Sequence, residues 1–177
     1  MKTERLEIFE RIMSMFSKDM RVLDIATGHG KFANKAKALG FTDITAIDAR
    51  SDRVPNTHGI KWIVDNILNL DTSEFNLILC FGILYHFNNP QELLDKCKHS
   101  ITIVDTHYSE TKEVEHLGYF GSFYKENNTC LTASFEDSQS FWPEKSELIK
   151  LLNENYSVVS EVTPNYLSNR TFFICLP

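Results

Sequence analysis

The chain has 177 residues, 42% hydrophobic and 24% charged, which allows one ordinary domain with a real hydrophobic core and excludes a disordered or fibrous protein. Its formal net charge of -6 argues against broad attraction to nucleic acid or to an anionic membrane, both of which need clustered Lys and Arg. Cys80, Cys97, Cys130 and Cys175 form no CxxC pair, so a zinc or redox site is disfavoured and reduced thiols in a cytoplasm fit best.

The first residues mix charged and apolar side chains, unlike a signal peptide. Leu6, Phe9, Ile12 or Met13, and Phe16 recur at helical spacing and predict an amphipathic helix over 2–17. Arg21 to Ile25 then reads as a first strand, Ala26 to Gly30 as a turn and Lys31 to Leu39 as a helix stopped by Gly40. Lys31, Lys35 and Lys37 on that helix read as a solvated face. Further strands are predicted at Ile44 to Ile47 ending in Asp48, Lys61 to Val64, Asn76 to Phe81 and Ile101 to Val104, with a helix from Pro90 to Lys98. The longest apolar stretch, Phe75 to Phe87, is too short to cross a bilayer, and Asn76, Gly82 and His86 interrupt it. Regular alternation of strand and helix implies a mostly parallel sheet covered on both faces.

The segment 106–141 breaks this rhythm with glycines, asparagines and aromatics and reads as an inserted lid or wall on the substrate side. A helix is expected over Pro143 to Asn153, with Pro143 in its first turn. Tyr156 to Val162 and Arg170 to Leu176 then form two strands joined by a loop over Thr163 to Asn169, short enough for an antiparallel return.

The strongest motif is Val22 to Ala33, a glycine turn at the carboxyl end of the first strand, where open α/β sheets bind ligands. Gly28 to Ala33 also satisfies the GxGxxG/A pattern of dinucleotide sites, and Asp48, 24 positions beyond Asp24, can accept hydrogen bonds from ribose hydroxyls in either case. Asp24 separates the two readings. A carboxylate beside the turn repels a pyrophosphate and attracts a ligand with an ammonium and a sulfonium.

Val22 to Gly30 resembles motif I of class I S-adenosylmethionine-dependent methyltransferases, with Ala26 in place of the first glycine, which implies that its backbone keeps a negative φ. The resemblance implies a Rossmann-like, doubly wound, mostly parallel seven-stranded sheet with a C-terminal antiparallel strand, spanning 1–177 as one domain. It implies S-adenosylmethionine as cofactor, bound by Asp24, Ala26, Thr27, Gly28, Gly30, Asp48, Ala49, Asp65, Asn66, Phe81 and Gly82, with Asp48 on the ribose and Asp65 and Asn66 on the adenine. Asp24 and Asp65 also suit turn or helix caps, a role that leaves each without a ligand.

Methyl transfer needs an aligned nucleophile, and an acceptor that loses a proton benefits from a base. His86 is the candidate base and Tyr85 its neighbour in orienting a reactant; a hydrogen-bonded wall imidazole is the structural alternative. His107, Tyr108, Tyr119, Tyr124 and Trp142 are the candidate acceptor contacts, although the insertion's aromatics, Phe120, Phe123 and Phe141 included, equally suit a satellite core. His29 reads as facing solvent, and the histidines show no metal-ligand spacing. Gly82 to His86, Asn89-Pro90 and Phe141 to Pro143 are also similar to the group that modifies wobble uridine in transfer RNA with a carboxylated donor, for which Arg170 is a candidate cation. The long N-terminal region of that group is not seen, and with the acidic balance this favours a small-molecule acceptor. A protein that binds or cleaves the cofactor without methylating, and an NAD-binding oxidoreductase, are the remaining alternatives.

Overall fold

The computed structural model describes residues 4–53, 55, 57–126, 138–163 and 169–177. Cys130, Asn127, Asn128 and the middle of the Thr163 to Asn169 loop lie outside them.

Strands β1 (Val22–Ile25), β2 (Ile44–Asp48), β3 (Lys61–Val64), β4 (Leu77–Phe81) and β5 (Ile101–His107) are joined by parallel pairing. The apolar runs explain this arrangement, because a parallel strand covered on both faces has no polar side to present. Every residue of β1, β2 and β4 is buried. With β9 (Val158–Val162) and β10 (Arg170–Leu176) these strands make a seven-stranded sheet in the order β3-β2-β1-β4-β5-β10-β9. β10 runs antiparallel to both neighbours, as the return loop implies. The order reverses beside β1, which opens a crevice at the carboxyl ends of β1 and β4.

One core lies on each face. Helices α1 (Glu4–Met13) and α2 (Lys31–Ala38) bury Phe9, Met13, Phe32 and Ala36 on one side. Helices α3 (Pro90–Cys97) and α4 (Lys145–Asn153) bury Leu93, Leu94, Leu148 and Leu151 on the other. Asn89 caps α3 by accepting from the Gln91 amide, and Pro90 follows where its missing N–H is harmless.

Several boundaries move. α1 ends at Met13, short of the predicted Ser17, because the amides of Met15 and Phe16 bond three residues back and tighten the chain into a turn. β5 runs three residues beyond the expected Val104, paired by β10 as far as Arg170 opposite His107. The insertion is a sheet of its own, formed by β6 (Val114–His116), β7 (Tyr119–Lys125) and β8 (Gln139–Pro143) in antiparallel order. Pro143 therefore ends a strand, and α4 starts after Glu144, whose carboxylate accepts from the Ser146 amide. The described thiols of Cys80, Cys97 and Cys175 are buried and free.

Candidate active site

The crevice is a cavity of about 1160 Å³ reached by residues from α1, the β1–α2 turn, the ends of β2 to β5 and β10. At its floor, Asp24 is 1% exposed. Its Oδ2 accepts from the Thr27 hydroxyl at 2.6 Å and from the Ala33 amide at 3.0 Å. The same carboxyl that lines the cavity thus ties the turn to the first residues of α2, the capping role the sequence left open. Burial, with the Asp48 carboxylate adding to it, pushes its pKa up to about 7.

Ala26 departs from expectation. Its φ is +50°, inside the left-handed region that L side chains adopt at a cost of roughly 1–2 kcal/mol, so the turn kept its glycine-type backbone without the glycine. Gly28, at φ +56°, lines the cavity, and a Cβ built there meets nothing within 4 Å. Gly30 does not line it. A Cβ on Gly30 would sit 2.4 Å from the ring of Trp62, so this glycine serves the packing of α2 against β3.

Asp48, at the end of β2, accepts from the Gly28 amide at 2.8 Å and from the Arg50 amide at 2.9 Å, which fixes its carboxylate at the cavity wall beside Ala49. Asp65 and Asn66 reach the same wall from the end of β3 and are exposed. Asn66, not Asp65, caps the short turn of helix that follows, accepting from the Leu68 amide, while Asp65 accepts from the Asn66 amide and the Asn69 side chain. Phe81 and Gly82 line the cavity at the end of β4.

Across from these lie Tyr85 and His86, on one turn of 3-10 helix after β4. The His86 side chain is 8% exposed, and its Nδ1 stands 2.9 Å from Oε1 of Glu126, itself 12% exposed, beyond the end of β7. His107 lines the cavity from the last position of β5, with its Nε2 2.8 Å from Nη1 of Arg170. Burial, reinforced by Arg170, drives its pKa down to about 4, so the ring is neutral and accepts from the guanidinium. Trp142 stacks on His107 at 4.3 Å and Tyr124 stacks on Trp142 at 4.0 Å, a ladder that stands behind His107 without reaching the cavity lining.

Tyr108 and Tyr119 are elsewhere. Tyr108 packs on the helix-side core under Lys145, and the Tyr119 hydroxyl donates to Glu154, so neither is brought to the cavity. Tyr108 follows the last residue of β5, where its amide donates to the Asn169 carbonyl. His29 is exposed at the cavity mouth.

Residues 1–102 match a family described as "Methyltransferase domain". The chain belongs to that family. No curated protein matches it. Among solved structures, the N-terminal domain of EvdMO1 with S-adenosylhomocysteine bound superposes with a TM-score of 0.78 at 16% identity, over 98% of this chain and 79% of that one. The Burkholderia thailandensis 1,6-didemethyltoxoflavin-N1-methyltransferase, with 1,6-didemethyltoxoflavin and S-adenosylhomocysteine bound, gives 0.65 at 14% identity over 96% and 76%. An S-adenosylmethionine-dependent methyltransferase from Methanosarcina mazei gives 0.60 at 18% identity over 93% and 94%. At these identities the likeness is one of fold.

Membership disposes of the oxidoreductase reading that the Gly28 to Ala33 hexapeptide left open. The methyltransferase also holds site residues that its sequence did not announce, of which Arg5 and Arg53 line the cavity while Asp105 and Glu126 stand outside its lining. Arg5 projects from the first turn of α1, Arg53 follows β2, and Asp105, 0% exposed, lies in the extension of β5. Glu126 arrives from the insertion. Arg5 and Asp105 are 100 positions apart, and no local spacing signals such a pair; only an acid inside an apolar strand, the feature that marked Asp24, could have flagged Asp105.

Proposed function

We propose that this methyltransferase moves the methyl group of S-adenosylmethionine to a small-molecule acceptor, with His86 as the base. The observation that supports this reading is the convergence of Asp24, Asp48 and Asp65, from the ends of three adjacent strands, on one cavity that also reaches Tyr85 and His86. Its volume of about 1160 Å³ exceeds the usual ligand pocket, leaving space for an acceptor beside a nucleoside-sized ligand. The donor set fits the cofactor: a buried carboxyl for the ammonium, a fixed carboxylate for the ribose, and Asp65 with Asn66 for an adenine edge. When bound, S-adenosylmethionine supplies an electrophilic methyl carbon on cationic sulfur.

The chain's own part is positioning. Phe81 and Ile67 give the cavity apolar walls that exclude water, and Tyr85 steers the acceptor. His86 takes the acceptor's proton, and Glu126 stabilises the imidazolium that forms. The Burkholderia enzyme's bound 1,6-didemethyltoxoflavin favours the small-molecule class for a chain of net charge -6.

Calorimetry with S-adenosylhomocysteine and with NAD, followed by product assays on a small-molecule panel, tests the reading. Saturable binding of S-adenosylhomocysteine but not of NAD is expected, with S-adenosylhomocysteine formed from S-adenosylmethionine only when an acceptor is present. Binding of NAD in its place would overturn the cofactor assignment, and consumption of S-adenosylmethionine without an acceptor would make the protein a lyase or hydrolase. His86→Ala is expected to lower turnover about 10²–10⁴-fold with cofactor binding intact.

A further inference from the structure

His107 meets the cavity with both ring nitrogens already engaged. A guanidinium only donates, so Nε2 accepts from Nη1 of Arg170 at 2.8 Å, and the ring proton sits on Nδ1, 3.3 Å from Oδ1 of Asn169. Both bonds lie at the rim of the imidazole. One face is taken as well, by Trp142 at 4.3 Å and an interplanar angle of 13°. Tyr85 stands beside this pair and not over it, since its ring is 5.1 Å from His107 and 5.6 Å from Trp142, at 74° and 62° to their planes. A ring over the far face of His107 would lie much farther from Trp142 than from His107. Among the described residues no second aromatic ring stacks on that face, and it is what His107 offers the cavity.

The face is held rigidly. Tyr124 and Trp142 are diagonal neighbours across β7 and β8, whose register sets Ser122 opposite Trp142 and Tyr124 opposite Ser140. Tyr124 stacks on Trp142 at 4.0 Å, and the Trp142 indole N–H donates to the Ser140 hydroxyl at 2.9 Å. The stack is therefore ordered by folding, and a ligand that extends it finds the surface already aligned. The imidazole is uncharged above about pH 4, so a ring laid over it strands no charge. With no nitrogen left to donate or accept, the face selects by shape and by π surface. The turn that carries Tyr85 also carries His86, their rings 4.2 Å apart, so the base stands next to the residue that borders the stack.

We propose that the outer face of His107 is the acceptor platform, and that the acceptor is a planar aromatic or heteroaromatic ring that adds a further layer to the stack of His107, Trp142 and Tyr124. The inference rests on the methyltransferase reading above and names the acceptor class within it. A non-planar, hydroxyl-rich acceptor finds no hydrogen-bonding group on this face.

Calorimetry on the full chain saturated with S-adenosylhomocysteine compares 2-naphthol with decahydro-2-naphthol, which has the same carbon skeleton and hydroxyl without the flat ring. The parent is expected to bind 2-naphthol about fivefold or more tightly than the saturated alcohol. His107→Phe keeps a flat face and gives up both hydrogen bonds, so the preference survives; His107→Leu has no π surface and loses it. Melting temperature and S-adenosylhomocysteine affinity check that each variant folds, and the comparison of the two alcohols on the parent needs no variant at all. Equal affinity for the two alcohols, or no uptake of 2-naphthol by the saturated parent, overturns the proposal. So does survival of the preference in His107→Leu, or its loss in His107→Phe with S-adenosylhomocysteine binding intact, which would give His107 a hydrogen-bonding role instead. Failure of the parent to bind S-adenosylhomocysteine strikes the cofactor reading, and the two alcohols on the free chain then decide the platform.

Discussion

Asp24 and His107 titrate in opposite senses, and the consequence is measurable. The folded chain holds the Asp24 proton up to about pH 7, whereas a carboxyl of ordinary pKa near 3.8 has lost it, so the stability this group contributes at low pH is lost as pH rises from about 4 to 7. His107, pushed from 6.5 down to about 4, contributes stability above pH 6.5 that is lost as pH falls toward 4. The two slopes oppose each other between about pH 4 and 6.5. Urea denaturation of Asp24→Asn is therefore expected to show stability rising with pH across that window, and of His107→Gln to show it falling. At pH 8 Asp24→Asn should be the more stable protein by about 2 kcal/mol, since an uncharged amide costs less to bury. Calorimetry carries the functional counterpart. Affinity for S-adenosylhomocysteine should increase from pH 5.5 to 8 as Asp24 ionises and can pair with the ligand's ammonium, and the Asn variant should bind weakly at every pH. A parent affinity that ignores pH would remove Asp24 from that role. The acid itself was legible in the sequence because burying a charge inside an apolar strand is costly unless a partner or a ligand compensates it. The left-handed backbone of Ala26 was not, because residue type limits φ without dictating it.

At the scale of elements, the insertion is where local reading failed. Tyr119–Lys125 is rich in strand-forming aromatics, yet its burial does not alternate, so period-two patterning had nothing to detect. Its partner β8 lies well down the chain, and pairing at that separation is a tertiary event. Gly121 is the contact that permits it. A Cβ at this position would lie 2.2 Å from the carbonyl oxygen of Trp142, a backbone atom that cannot yield. Gly121→Ala should destabilise the β7–β8 pairing by about 1–3 kcal/mol and disturb the stack of Trp142 on His107 and Tyr124. Thermal melts and tryptophan emission would register both effects; an unshifted spectrum with unchanged stability would show that the strands tolerate separation. The short helical turn carrying Tyr85 and His86 packs against this sheet through Tyr85 and Trp142, whose rings are 5.6 Å apart, so the same variant should lower turnover while sparing adenosyl binding.

For the whole molecule, a ligand that binds only the folded state stabilises it by mass action. S-adenosylhomocysteine at about 100 times its dissociation constant should add about 2.7 kcal/mol, a rise of roughly 5–10 °C in Tm for a chain of this size. NAD at the same concentration should add nothing, and an NAD shift without one from S-adenosylhomocysteine would contradict the family assignment. The alternation of apolar strands with amphipathic helices, the glycine turn after β1 and the acids at three strand ends were all determined by the sequence alone, because each rests on contacts within a few residues or on a repeating pattern of burial. Only the tertiary structure decided that Arg5 and Arg170 meet on Asp105, that Glu126 reaches His86, and that Tyr108 and Tyr119 turn away from the cavity. Those pairings join residues tens of positions apart, and their geometry is set by how strands register and helices dock, which no local spacing encodes.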